Sequence, residues 1–276
     1  MQVACFAKSF QDMPFDAFCR AAYEIGFEGI DLTVRKNGVI EPANVAAELP
    51  SAADTIHKAG LKFFFLSTDL TEADDTADRV LGTAAQLGVD RVKLGYYRYL
   101  PFGTLKKQLA DARPKIAGIA KLAKKHGILP CVHTHSGTYL SSHGTLLYEL
   151  IKDMPPDEVG AYVDPYHMTL EGGNAGWQQG LDLLAPWIAL VAVKNFAWVQ
   201  GDRDKTGQQR WHTQTVPVAD GVAPLPNFFA MLKKIGYDGT YSLHSEYKGS
   251  HTFKDLSTDE CLKQTATDLK YFRSIV

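Results

Sequence analysis

Apolar and polar positions along this chain fall into two alternating rhythms. Short apolar runs at 3–7, 28–33, 62–67, 90–95, 128–134, 159–164, 188–195 and 240–246 read as strands buried on both faces. Between several of them lie longer segments whose apolar residues recur every three or four positions, as on one face of a helix. Over 14–25 the stripe is Phe15, Phe18, Ala22 and Ile25, and Gly26 follows as a helix stop. Segments 43–59, 73–87 and 104–126 end in the same way at Gly60, Gly88 and Gly127. The last of these closes on a Lys-Lys-His tail, the charge a helix C-terminus favours.

The join from helix to strand repeats a phrase: IGFEGIDL, AGLKFFFL, LGVDRVKL, HGILPCV and IGYDGTYSL. Such repetition implies a parallel sheet, and eight strands favour its closure. The expected architecture is α/β, a single (β/α)8 TIM barrel over residues 1–276, with no Pro/Gly/Ser-rich linker dividing it. No GxGxxG follows the first strand, so no nucleotide cofactor is expected. The longest stretch without regular patterning, 197–225, follows the seventh strand and is expected to be a functional loop. Trp198 and Trp211 within it argue against disorder.

Composition narrows the field without naming a reaction. The chain is 45% hydrophobic, enough for one substantial core, and its net charge of −2 gives no reason to expect nucleic acid. Cys5, Cys19, Cys131 and Cys261 lie far apart and read as buried free thiols rather than a metal or disulfide framework. No apolar run approaches the roughly 18 residues of a membrane span, so no membrane partner is expected. The first strand begins at Val3, which predicts no signal peptide and a cytoplasmic location.

Four strand segments break into ionisable chemistry just as they end: PCVHTHSG (130–137), GAYVDPYHM (160–168), ALVAVKNF (189–196) and TYSLHSEY (240–247). In a barrel those ends converge on one face, where such enzymes place their active sites. Residues two apart on a strand point the same way. His133 therefore pairs with His135, Ala192 with Lys194, and Ser242, His244 and Glu246 share a face, as do Asp31, Thr33 and Arg35. If these faces look inward, His133, His135, Asp164, Lys194, His244 and Glu246 meet in one pocket.

Plainer readings compete. A lone His at a strand end is more often structural than a ligand, and Asp164 could cap the following helix, although its DPYH context favours a functional role. Convergence of several such groups favours a site, because charges are rarely buried without partners or a metal. Imidazole and carboxylate together suit a divalent transition ion. An inward Lys194 among carboxylates would hold a substrate oxygen or move a proton. Trp177, Trp187 and Trp198 are candidates to line a sugar site, although Trp187 in APWIAL reads as core.

These segments resemble the xylose isomerase-like barrels, the sugar phosphate isomerases and epimerases, over nearly the whole chain. The resemblance rests on EIGFEGIDLTV, KLGYYRY, HTHSG, VDPYH, VKNF and YDGTYSLHSEY in that order. It implies one divalent metal held by Glu on strand five, Asp on strand six, His on strand seven and Glu on strand eight. Asp164 and His167 match the strand-six Asp-x-x-His. Elsewhere the chain departs from the pattern. His133 stands at the first Glu position, with His135 matching the His that follows. Ala192 stands at the His position, with Lys194 retained and Asn195 replacing a common Asp. His244 takes the second Glu position, with Glu246 two residues on. Two accounts fit: a divalent metal (Mn²⁺, Co²⁺, Zn²⁺ or Mg²⁺) in a changed shell of His133, Asp164, His244 and Glu246, or a metal-free pocket.

The resemblance implies a sugar or keto-sugar isomerase or epimerase that abstracts a proton next to a carbonyl, with the metal or Lys194 stabilising the enediolate-like oxygen. Glu246 is the expected base and His135 or His167 its acid partner. Arg35, Lys93 and Trp198 are candidate substrate contacts, Lys93 being equally a candidate for a structural role. The expected partner is a small carbohydrate, and a homo-oligomer is left open. The rivals are an inosose-dehydratase-like lyase and a catalytically quiet carbohydrate-binding barrel. An apurinic-endonuclease role is disfavoured by the incomplete ligand set.

Overall fold

The apolar runs become strands because each is buried on both sides, by the barrel interior and by a helix. The computed structural model describes residues 1–276. Its barrel strands are β1 (Gln2–Phe6), β2 (Gly29–Val34), β3 (Lys62–Thr68), β4 (Arg91–Lys93), β5 (Leu129–His133), β6 (Gly160–Val163) and β7 (Ile188–Val193). An antiparallel hairpin, β8 (Asn195–Arg203) and β9 (Gln209–Val216), precedes the last barrel strand, β10 (Thr240–Leu243). The barrel is closed in the order β1-β10-β7-β6-β5-β4-β3-β2, all neighbours parallel. The eight strand segments and the (β/α)8 architecture expected from the sequence are therefore present.

Helices α1 (Phe15–Ile25), α2 (Val45–Lys58), α3 (Asp75–Gln86), α4 (Leu105–Lys125), α5 (Gly144–Ile151), α6 (Pro165–Leu184), α7 (Leu225–Lys234) and α8 (Thr258–Ile275) wrap the outside. The stripe of α1 buries Phe18 and Ala22, and Gly26 ends it at φ 103°, its N–H bonding the carbonyls of Ala22 and Tyr23. A side chain other than Gly is strained at that φ. Between helices and barrel lies one large apolar core, and the four cysteines are buried and free. No helix is long and apolar enough to cross a membrane.

Inside the barrel the residues sort by height. Ala4, Phe65, Cys131, Tyr162, Leu190 and Ala192 form a separate buried cluster across five strands. Two residues further along the same faces stand Phe6, Ser67, His133, Asp164 and Lys194. An apolar plug thus gives way to a polar layer at the C-terminal rim, which is the alternation of a pleated strand carried round a barrel.

The stretch 197–225, expected to be irregular, is largely sheet. Trp198 lies opposite Thr213 and Gln200 opposite Trp211 in the β8–β9 ladder. Asp204 and Gln208 close the turn through a 2.9 Å backbone hydrogen bond, with Gly207 at φ 86°. The base of the hairpin is sewn to the segment after β10. Thr215 N–H donates to the His251 carbonyl, and its own carbonyl accepts from Phe253 N–H, both at 2.9 Å. The Thr252 hydroxyl adds a bond to the same carbonyl at 3.1 Å.

Candidate active site

Asp164 follows β6 at the rim and is fully buried. Its Oδ1 caps α6 by accepting the His167 N–H at 3.3 Å, so the helix-cap reading of this residue holds. Its Oδ2 is surrounded by nitrogen: His133 Nε2 at 3.3 Å, His167 Nε2 at 3.5 Å and Lys194 Nζ at 3.3 Å. The far nitrogens of the two imidazoles are held from behind, His133 Nδ1 by the Tyr96 hydroxyl and His167 Nδ1 by the Ser136 hydroxyl, both at 2.8 Å. Hydroxyl donation to Nδ1 leaves each neutral ring its proton on Nε2, the one assignment that aims donors at the carboxylate. Burial works to raise the pKa of Asp164, but Lys194 and the two histidines outweigh it and hold the carboxyl well below its usual range. Burial pushes His133 down to about 3 and His167 well below its ordinary value, so both rings are neutral.

Lys194 Nζ also lies 3.3 Å from Glu246 Oε2, and Lys8 pairs with the other Glu246 oxygen. Burial opposes the charge on Lys194, but Asp164 and Glu246 overcome it and raise its pKa. Burial likewise opposes ionisation of Glu246, and Lys194 and Lys8 prevail, keeping it well below the carboxylate range. The result is a chain of alternating charge from Asp164 through Lys194 and Glu246 to Lys8.

A second group lies deeper. Asp31 accepts hydrogen bonds from Ser67 at 2.7 Å and Ser242 at 2.8 Å, and burial pushes its pKa up to about 7. His244 Nε2 meets the Tyr162 hydroxyl at 2.9 Å and lies 3.8 Å from Asp31 Oδ2. Its Nδ1 turns toward Glu246 at 3.9 Å, and its ring stacks on Phe6 at 4.1 Å. Burial pushes His244 below its ordinary pKa.

These groups surround a cavity of about 70 Å³, with Lys93, Tyr96, His135, Lys194, His244 and Glu246 on its walls together with Arg35. Lys93 donates to the Thr68 carbonyl at 3.2 Å and sits 3.7 Å from the Tyr96 ring centre. Burial and the nearby Arg35 push Lys93 down to about 7. Burial and Lys194 push His135 down to about 4. His135 Nδ1 faces the Ser136 carbonyl at 3.0 Å and must donate to it, so Nε2 carries the lone pair. An outer cleft of about 280 Å³ adjoins the cavity, and Glu246 and Lys8 line both.

The structure thus brings together His133, His135, Asp164, Lys194, His244, Glu246, Arg35 and Lys93. His167 stands behind the cavity wall, against Asp164 and Ser136. Trp198 is half exposed on the hairpin and is not among the cavity residues. Lys8, Tyr96 and Tyr162 escaped the sequence reading. Tyr162 was within reach of it, because it lies two residues before Asp164 on the same strand face.

The ion site expected at His133, Asp164, His244 and Glu246 is not assembled. No group of three or more His, Cys, Asp or Glu side chains is arranged to hold a metal. His244 spends its Nε2 on Tyr162, Glu246 is engaged by two lysines, and Ala192 offers no donor. His133 Nε2, His167 Nε2 and Asp164 Oδ2 have no hydrogen bond of good geometry, but they face one another and Lys194 rather than an open position.

Residues 19–275 match the sequence profile of the xylose isomerase-like TIM barrels. The chain belongs to this family. At the sequence level no curated protein matches it. Among solved structures, D-allulose 3-epimerase from Methylomonas sp. superposes with a TM-score of 0.74 at 14% identity, over 100% of this chain and 98% of that one. The probable 3-DHS dehydratase of Bacillus anthracis gives 0.69 at 17%, over 98% and 99%. A xylose isomerase-like TIM barrel protein from Mycobacterium smegmatis, in complex with magnesium, gives 0.70 at 15%, over 99% and 96%. Identities this low establish a shared fold. The same barrel fold thus carries a sugar epimerase and a probable dehydratase in those proteins.

Proposed function

We propose that this protein is a sugar or keto-sugar isomerase or epimerase that removes a proton from the carbon next to a carbonyl. The observation that carries this reading is a carboxylate kept ionised by two lysines at the mouth of a cavity walled by cations and neutral imidazoles. Glu246 is the base: its carboxylate touches the cavity, and Lys194 and Lys8 hold its charge in place. The oxygen that gains charge as the proton leaves would be met by Lys194, Lys93 or Arg35, fixed donors that need little reorganisation.

The proton must then be returned. His135 is neutral with an open Nε2, so it serves as a proton acceptor and can act as an acid only after taking one up. Lys93, with a pKa of about 7, exchanges its proton readily at neutral pH and is the better matched acid. His167 acts on Asp164 rather than on substrate. A cavity of about 70 Å³ holds roughly two waters, so a sugar must extend past Glu246 into the outer cleft. That polar cleft, lined by Lys8, Ser9, Gln11, Asp12, Lys248 and His251, suits hydroxyl-rich ligands.

A dehydratase-type lyase would share the proton abstraction, and its superposed neighbour keeps that reading in play. Incubation with keto-hexoses and keto-glycosides in D₂O, read by NMR, tests the proposal. Deuterium appearing at the carbon next to the carbonyl supports it, with an epimer or isomer as product. Loss of water in the product assigns the lyase instead. Asp164→Ala and His244→Ala should both abolish exchange while leaving the circular dichroism spectrum intact. Full exchange in either variant overturns the site.

A further inference from the structure

We propose that the ammonium group of Lys194 is the resident cation of this site, taking the bridging place that a divalent ion would hold between the carboxylates at the ends of β6 and β10. Lys194 is 4% exposed, and its Nζ is equidistant, at 3.3 Å, from Asp164 Oδ2 and Glu246 Oε2. No other lysine or arginine contacts Asp164, so its buried charge is balanced by this one group. A buried carboxylate needs such a partner, whether ammonium or metal.

The surroundings fit an ammonium better than an ion. A metal bound to Asp164 Oδ2 would sit within about 2.0–2.2 Å of that oxygen, inside the ring of His133 Nε2, His167 Nε2 and Lys194 Nζ that already surrounds it. It would meet a like charge on Lys194 and two imidazoles that, when the Tyr96 and Ser136 hydroxyls donate to their Nδ1 atoms, turn Nε2–H inward. Two residues below Lys194 on the same face, Ala192 is fully buried and carries no donor. The arrangement joins two carboxylates through one immobile positive charge that also lines the cavity. It gives the protein a permanent positive charge, with N–H donors, that no chelator removes.

The inference concerns the occupant of the site and stands whatever the substrate is. Its test therefore reads ions and stability rather than turnover. The untagged protein, expressed in medium supplemented with Mn²⁺, Co²⁺, Zn²⁺ and Mg²⁺ and purified without chelator, is analysed by plasma mass spectrometry. Each ion is also titrated against its melting temperature. The expected result is no stoichiometric ion and no shift with any of the four. One ion per chain that disappears in Asp164→Asn overturns the proposal.

Lys194→Met supplies a second arm, keeping the length of the side chain while deleting its charge. Asp164 left without a cation, and Glu246 held by Lys8 alone, should lower the melting temperature by about 10 °C, and added Mn²⁺ or Zn²⁺ should restore much of it by occupying the vacated bridge. A Lys194→Met protein as stable as the parent would show that the ammonium carries no such role. Should Lys194→Met fail to fold, Lys194→Arg and Lys194→Gln separate charge from packing: a folded Lys194→Arg beside an unfolded Lys194→Gln supports the proposal, and the reverse counts against it.

Discussion

The hydroxyl of Tyr162 on β6 lies 2.9 Å from Nε2 of His244 beyond β10, so two strands separated by β7 are joined across the barrel. Burial holds the Tyr162 hydroxyl well above its usual pKa, so it remains a neutral donor. With Nε2 occupied, His244 presents Nδ1 toward Glu246. Tyr162→Phe should leave Nε2 unpaired in a dry site, at about 1–3 kcal/mol of stability. It should also free the His244 ring and weaken its hold on Glu246, so turnover falls more than substrate affinity. Denaturant melts and a kcat-against-KM comparison check both halves.

Lys8 is the one partner of Glu246 that reaches from solvent, with 43% of its side chain exposed. Lys8→Ala should change stability by less than about 1 kcal/mol. Its effect belongs in the pH profile. Lys8 helps keep Glu246 ionised, so its removal raises the carboxyl pKa, and activity is then lost at a higher pH on acidification. An acid limb unmoved in Lys8→Ala would show that Glu246 is not the base.

Lys93 makes stability depend on alkaline pH. Its folded pKa of about 7 lies below the ordinary 10.5. Between these values the unfolded chain holds a proton that the folded chain has released. Stability therefore rises with pH from about 7 toward 10.5, and the contribution is lost as pH falls through 7. Asp31, raised to about 7 from 3.8, acts in the opposite sense over 3.8 to 7, where the folded state keeps the extra proton. Lys93→Met should flatten the alkaline rise in melting temperature and leave the acid side governed by Asp31 and the histidines.

Asn195 opens the hairpin and is 2% exposed. Its Oδ1 accepts from the N–H groups of Phe196 and Ala223 at 2.9 Å, and its Nδ2 donates to the Val218 carbonyl at 3.0 Å. A Cβ added to Gly221 would fall 2.1 Å from this amide, so the loop closes over Asn195 only with glycine there. Asn195→Ala should cost about 2–4 kcal/mol through orphaned backbone groups. Gly221→Ala should destabilise by displacing the same amide, and the double variant should fall short of the sum, because both act on one contact.

The barrel was legible because its strands are apolar on both faces and its helices stop at glycine, signals that act locally. Asp164, Lys194 and Glu246 could be placed in one pocket from strand alternation alone. What alternation cannot convey is which polar atom faces which. His133 and His244 looked like equivalent ligands, yet one turns to Asp164 and the other to Tyr162, a difference made by Tyr96 in the loop after β4 and Phe6 on β1. Lys8 was missed because nothing in AKSF marks it until β1 is seen beside β10. The hairpin was missed because DRDKTGQQR reads as a polar loop, although Asp204 to Gly207 flanked by alternating residues is a turn signal.

The seam between Thr215 and residues 251–253 divides the hairpin into a fixed root and a free tip. Its root is stitched to the chain that carries Glu246, whereas residues 201–208 project without comparable ties. The tip can therefore be lengthened, shortened or recoloured without disturbing the cavity beside Glu246. The tip is the natural graft point for anyone who wants a new recognition surface on an old barrel.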